Sequence, residues 1–369
     1  MKKIAVVSLR FSPAHASHLF AYGKLIRAIG LEPLYILDLP YLRFADFAGV
    51  APTVSAQAYL ADPESHAFDA AIFYNAALNN ASVARAMRNR GIVAFYIFHE
   101  PVPIRYRLAE GWKELAKLAA AKVSSLAMLR QSSAVLVPSG YARKLYDRHY
   151  IRHNPHVHTF PLIFSDEVGA NVSADGCASR LYFSFLGLAL KAHDFSGFLD
   201  FVKFAIRAGS TIPFTIATRT DLTSLLAADV ELSSYVRQGK LRIQHGRVLS
   251  NEEMNRFSAE SFCIWNIYTC VTQSGALARS FMSGTPVLAN QAGSFLEYIR
   301  PGYNGEIIEG SHRYDLMMAA AEMIRRNLPA YVEGARRTFL ETFCYSVHLS
   351  RFSAILEGIE KEPLECASH

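Results

Sequence analysis

Residues 265–306, WNIYTCVTQSGALARSFMSGTPVLANQAGSFLEYIRPGYNGE, decide the reading of the fold. The loop Thr272-Gln273-Ser274-Gly275 is small and polar, and it runs into helical spacing over 276–282 that Gly284-Thr285-Pro286 stops. A helix start of this kind presents unbonded backbone N–H groups, where an anion can bind. A short apolar strand is expected at 286–289, then a second loop at 290–294, then a second helix start carrying Glu297. Two loop-to-helix turns about twenty residues apart form a ligand cradle at the edge of a parallel sheet.

Working outward, the same strand-loop-helix rhythm fills the chain. Before the cradle, strands are expected at 181–185, 212–217, 241–245 and 261–265, with helices at 195–208, 222–236 and 251–259 between them. The loop Gly187-Leu188-Ala189-Leu190-Lys191 follows the first of these strands. After the cradle, 314–327 and 329–356 have helical spacing. Nearer the N-terminus, strands are expected at 3–8, 33–37, 70–74, 92–98 and 134–137, with helices at 19–29 and 79–89 and another opening at Pro138-Ser139-Gly140-Tyr141. Two doubly wound α/β domains follow from this order: 1–165, then 166–345, with a last helix at 346–369 packing back on the first. No repeat of solenoid period is present.

Chemistry-bearing residues fall at the expected ligand edges. His15 and His18 lie in a loop expected at 11–18, which lacks the GxGxxG fingerprint of a dinucleotide site. His99 and Glu100 end the strand at 92–98, an imidazole and a carboxylate where α/β proteins keep chemistry. Each of these histidines has a second reading, as a group that packs or caps its loop. The stretch 149–158, HYIRHNPHVH, holds four histidines without regular ligand spacing and reads as a surface segment, so no metal site is expected.

Composition narrows the class. The chain has 369 residues, 51% hydrophobic and 19% charged, as a well-cored globular protein does. Its five cysteines, Cys177, Cys263, Cys270, Cys344 and Cys366, are scattered without a CxxC pair, which suits thiols in a reducing, cytoplasmic compartment. Residues 1–165 hold nineteen Lys and Arg against ten Asp and Glu, whereas 166–369 hold nineteen against twenty-two. An anionic partner is therefore expected at the N-terminal half: a phosphorylated substrate, an anionic membrane surface or nucleic acid. The last ranks lowest, because the basic residues form no compact patch interleaved with aromatics. A long amphipathic helix over 105–130, with Leu108, Trp112, Leu115 and Val123 on one side and Arg105, Arg107, Lys113, Lys117, Lys122 and Arg130 on the other, carries much of this charge and is the candidate for membrane-surface docking.

The pieces in their order are recognisable. Ser283-Gly284-Thr285-Pro286-Val287, then Gly293, Glu297 and Pro301-Gly302-Tyr303-Asn304-Gly305, resemble the C-terminal signature of the family-four retaining GT-B glycosyltransferases. The loop ending at Lys191 is similar to the family's donor-phosphate loop, Val137-Pro138-Ser139 to its turn before an N-domain helix, and His99 to its histidine after a buried strand. The resemblance implies a GT-B fold of two Rossmann-like domains facing across a cleft, and sugar transfer from a nucleotide-sugar donor with retention, without a metal or other cofactor. It implies donor binding by Lys191, Thr272, Gln273, Ser274, Gly275, Arg279 and Glu297, acceptor binding near His15, His18 and Ser139, and catalysis near His99 and Glu100. The acceptor it implies is a saccharide or lipid-linked saccharide of cell-envelope polysaccharide synthesis, met by a cytoplasmic, membrane-peripheral enzyme.

One departure stands out. The family places two glutamates eight positions apart in the cradle, and Val271 and Arg279 occupy those places here. A diverged subgroup using Thr272-Gln273-Ser274 for the sugar, a donor with extra negative charge, and a saccharide- or partner-binding subunit without catalysis all fit the change. A nucleotide-sugar epimerase on the same architecture fits less well, since no carboxylate set for its chemistry is evident.

Overall fold

The computed structural model describes residues 1–102, 112–169, 172, 174–310 and 312–361. The chain divides into two compact units, Met1–Ser165 with Cys344–His369, and Asp166–Phe343.

The first unit is built on a parallel sheet ordered β3-β2-β1-β4-β5-β6-β7. Its strands are β1 (Lys3–Ser8), β2 (Glu32–Leu37), β3 (Thr53–Ser55), β4 (Ala70–Phe73), β5 (Val93–Ile97), β6 (Ala134–Val137) and β7 (Val157–Thr159). Strands such as AVLV at β6 are buried along their whole length, as helices on both faces of a parallel sheet require. The order reverses beside β1, so the ends of β1 and β4 mark the switch point where such sheets bind ligands. Helix Leu349–Lys361 belongs to this unit, where Phe352 packs against Phe160 with ring centroids 5.5 Å apart.

The second unit repeats the plan with a parallel sheet ordered β10-β9-β8-β11-β12-β13. These strands are β8 (Tyr182–Leu186), β9 (Phe214–Ala217), β10 (Leu241–Gln244), β11 (Ser261–Asn266), β12 (Val287–Asn290) and β13 (Gly305–Ile308). An aromatic core of Phe183, Phe198, Phe201, Phe214, Phe262 and Trp265 fills one side of the sheet.

Several sequence expectations shift. The loop expected at 11–18 closes early: Pro13 opens a 3-10 turn over Pro13–His15 that runs into helix Ala16–Ala28, so His18 is helical and buried. Proline's fixed φ at the start of the turn favours this early entry. The surface segment expected at 149–158 ends in a paired strand, β7, beside β6. The helix expected over 329–356 is two helices, Leu328–Thr342 and Leu349–Lys361, parted where Tyr345 N–H donates to the Phe164 carbonyl at 3.0 Å. Of the helix expected at 105–130, the described part is Trp112–Gln131, with the Lys122 ammonium 3.9 Å from the Tyr150 ring centroid. Arg105, Arg107 and Leu108 lie outside the described residues, as does Cys366. Among the described residues no helix is long and apolar enough to cross a membrane.

Candidate functional site

In the second unit, three loops converge at the C-terminal ends of β8, β11 and β12. Tyr268 joins them. Its ring stacks on His193 at 4.5 Å between centroids and lies 5.2 Å from Phe295. Its backbone is clasped by the Asn290 side chain, which accepts from Tyr268 N at 3.1 Å and donates to Tyr268 O at 2.8 Å. Its hydroxyl accepts from Ser274 Oγ at 3.4 Å. Thr269 N–H donates to the Ala192 carbonyl at 3.0 Å, and Ser294 N–H to the Val271 carbonyl at 3.0 Å, so each loop is pinned to its neighbour.

Within this frame Ser274 caps helix Gly275–Met282, its Oγ accepting from Leu277 N at 3.1 Å. Gly275 opens the helix, whose dipole places partial positive charge at this end. Thr272 is buried and Gln273 half-buried in the loop before it. Lys191 is exposed at the start of the turn Lys191–His193. Glu297 is exposed in the single helical turn Phe295–Tyr298. A cation and a capped helix start on adjoining loops suit a diphosphate, which needs both charge and directed N–H donors.

Val271 and Arg279, where the family resemblance sets glutamates, are both buried. The Arg279 guanidinium donates to the side chains of Asn251, at 3.1 Å, and Asn255, and pairs with Glu167 at 3.3 Å. Burial presses its pKa downward and Glu167 works against that; a guanidinium remains charged throughout. Asn255 Nδ2 also donates to Glu167 Oε2 at 2.9 Å, which closes a polar cluster around the cation.

The signature stretches Ser283–Val287 and Pro301–Gly305 hold the fold together. Gly284 has φ +66, and a Cβ there would meet Val172 Cγ1 at 2.6 Å. Thr285 Oγ1 accepts from Arg180 at 2.8 Å and donates to the Ser258 carbonyl at 2.7 Å. Asn304, fully buried, accepts from Arg300 N at 2.8 Å and donates to Tyr298 O and Thr338 Oγ1, both at 2.9 Å. At Gly305 a Cβ would stand 2.5 Å from the Val287 carbonyl, closing the β12–β13 pairing.

In the first unit, an aromatic cluster gathers at the ends of β1, β4 and β5. Tyr74 lies 5.1 Å from His15, 4.7 Å from His99 and 5.6 Å from His18 between ring centroids, and His15 stacks on His99 at 5.9 Å. His99 donates through Nε2 to the Tyr74 carbonyl. His18 donates through Nδ1 to the Ile163 carbonyl at 2.9 Å. Burial lifts the Tyr74 hydroxyl well above the usual phenol range, so it stays neutral. Glu100 is exposed beside this cluster. Ser139 stands apart as a buried N-cap of helix Gly140–His149, its Oγ accepting from Ala142 N at 2.9 Å. Among the described residues no group of His, Cys, Asp and Glu is arranged to hold a metal ion.

Sequence reasoning named Lys191, Ser274 and Gly275 but missed Tyr268, His193 and Asn290, which hold the loops together. His193 stands two residues past the lysine of the loop that resembles a donor-phosphate loop. No local signal connected Arg279 to Glu167.

No family model matches the chain, and no curated protein matches it in sequence. Solved structures do. HepE of Anabaena in complex with UDP is similar over 97% of this chain and 100% of its own, with a TM-score of 0.68 and 13% identity. Sucrose-phosphate synthase of Thermosynechococcus elongatus is similar over 98% of this chain and 99% of its own, with a TM-score of 0.71 and 12% identity. WaaG, a glycosyltransferase involved in lipopolysaccharide biosynthesis, is similar over 96% of this chain and 100% of its own, with a TM-score of 0.66 and 12% identity. The likeness spans both sheets and nearly every residue, and the fold of this chain is GT-B.

Proposed function

We propose that the protein is a glycosyltransferase that moves a sugar from a nucleotide-sugar donor, held by the second unit, to a saccharide or lipid-linked saccharide acceptor met by the first. The observation that carries this reading is the convergence of three loops on Tyr268, which puts the Lys191 turn and the start of helix Gly275–Met282 on one sheet edge. As the anomeric C–O bond breaks, negative charge builds on the leaving diphosphate. The helix N-terminus and the Lys191 ammonium stabilise it, with no metal needed. The acceptor oxygen forms the new bond on the same face, with retention, and its proton passes to the leaving phosphate. Thr272, Gln273 and Glu297 face the donor, while His15, His18, His99 and Glu100 serve the acceptor side. HepE in complex with UDP and with UDP-glucose, on the same fold, supports a nucleotide-sugar donor. WaaG supports an envelope-polysaccharide acceptor. The basic balance of residues 1–165 supports an anionic acceptor or membrane surface at the first unit.

One observation favours a second reading, a saccharide-binding subunit without catalysis: neither Val271 nor Arg279 offers a carboxylate to a donor. A panel of nucleotide sugars separates the two. UDP, ADP and GDP sugars are screened by thermal shift, since a ligand bound only by the folded state raises its stability. Binders are then assayed for sugar transfer and donor hydrolysis. Binding with turnover supports the enzyme, and Lys191→Ala should then cut turnover at least tenfold. Binding without turnover supports the subunit, and no binding across the panel overturns the donor site itself.

A further inference from the structure

His193 has no assigned role in the reading above, yet it lies in the middle of the donor loops. Its ring is held from two sides. One is the Tyr268 ring, nearly parallel to it at 22° and 4.5 Å between centroids. The other is the Leu188 carbonyl, 2.9 Å from Nδ1. A carbonyl oxygen can only accept, so Nδ1 must carry the hydrogen, and in the neutral ring Nε2 is then a pure acceptor. Burial presses the ring's pKa below the usual histidine value, with the Leu188 hydrogen bond opposing, so the neutral form prevails at neutral pH. The ring is half-buried, and among the described residues its side-chain hydrogen bond is the one through Nδ1.

That tautomer decides which part of a donor the ring can serve. A phosphate oxygen also accepts, so Nε2 and a diphosphate repel, and the positive groups for the diphosphate are already present at Lys191 and at the Ser274-Gly275 helix start. A hydroxyl group presents the hydrogen that Nε2 lacks. Tyr268, which stacks on His193, also takes the Ser274 hydroxyl hydrogen at 3.4 Å, so the imidazole lies one ring away from the helix start. We propose that His193 is a specificity residue that accepts a hydrogen bond through Nε2 from a hydroxyl of the donor's sugar. The proposal rests on the donor-site reading of the second unit. It assigns His193 to recognition of the sugar and leaves the nucleoside diphosphate to other groups.

The test compares each nucleoside diphosphate with its sugar derivative by titration calorimetry: UDP with UDP-glucose and UDP-N-acetylglucosamine, ADP with ADP-glucose, and GDP with GDP-mannose. His193→Phe keeps a ring against Tyr268 and removes the acceptor. Its affinity for the nucleoside diphosphate should stay within about twofold, while affinity for the nucleotide sugar should fall roughly three- to tenfold, the worth of one neutral hydrogen bond. His193→Gln, whose side-chain oxygen is again an acceptor, should recover part of that loss and serves alone if the Phe variant does not fold; it should then retain sugar affinity that His193→Leu lacks. Equal losses for nucleotide and nucleotide sugar would make His193 a support of the loop and overturn the proposal. So would no loss at all. Wild-type protein that binds no member of any pair would overturn the donor-site reading and this proposal with it.

Discussion

Arg279 has one place in the sequence pattern and its own set of partners in the fold. By alignment it stands where a donor-facing acid belongs, but its guanidinium is enclosed by Asn251, Asn255 and Glu167. Removing the cation would strand the Glu167 carboxylate, whose side chain is only 19% exposed. Arg279→Met should therefore cost about 3 kcal/mol in urea unfolding, and Arg279→Glu more, because it sets two carboxylates together. A cost for Arg279→Met below about 1 kcal/mol, the worth of an ordinary hydrogen bond, would return Arg279 to the list of donor contacts. Asp166 makes a second internal pair. Burial works against its carboxylate, but Arg336, bonded to both oxygens, and the Gly169 and Val168 N–H groups together outweigh burial and hold the pKa below the usual value of 3.8. A depressed carboxylate stabilises the fold fully above its unfolded pKa, and that contribution drains away as pH falls through the folded one. The acid limb of stability should thus begin near 3.8 and extend below it. Asp166→Asn should flatten it in unfolding curves taken between pH 6 and about 2, the span of that linkage.

Helix Asn251–Ala259 supplies both asparagines to that cluster, and its start is a capping box in which Ser250 Oγ accepts from Glu253 N while the Glu253 carboxylate accepts from Ser250 N. Arg247 adds an ion pair to Glu253, holding that carboxyl down at about 2. Ser250→Ala should cost about 1 kcal/mol, read from the urea midpoint. A neutral outcome would mean that tertiary packing alone fixes the helix. This element was legible in the sequence as a short helix at 251–259, and the structure adds the capping pair at its start. The short strands β3, β7 and β13 were not legible. A three-residue segment such as VHT at β7 is too short to show a period of its own, and pairing with a neighbour makes it a strand. The site divides in the same manner. The Ser274-Gly275 start could be read from local spacing and Lys191 from the family resemblance, whereas the stack of His193 on Tyr268 joins residues from separate loops and exists only once β8 and β11 are adjacent.

Across the whole molecule, each sheet has its own hydrophobic cluster, so each unit has an independent core. Loops at a sheet edge open more readily than the strands beneath them, and a bound ligand suppresses that opening. Hydrogen exchange with a binding nucleotide sugar should therefore slow first in 188–193, 268–275 and 291–295. Slowing confined to the edge of the first sheet would move the donor to the other unit.

The signature stretches Ser283–Val287 and Pro301–Gly305 have a last implication. Their residues close turns, seat strands against one another and anchor helix Leu328–Thr342; Gly334 on that helix has room only for hydrogen, its would-be Cβ falling 2.1 Å from the Tyr303 carbonyl. Selection for a foldable chain is enough to keep them. The side chains at 271 and 279 can change without disturbing those turns, because neither takes part in the hydrogen bonds that close them. Stretches that hold a fold together in this way mark the architecture, and not what binds at the loops 188–193 and 268–275.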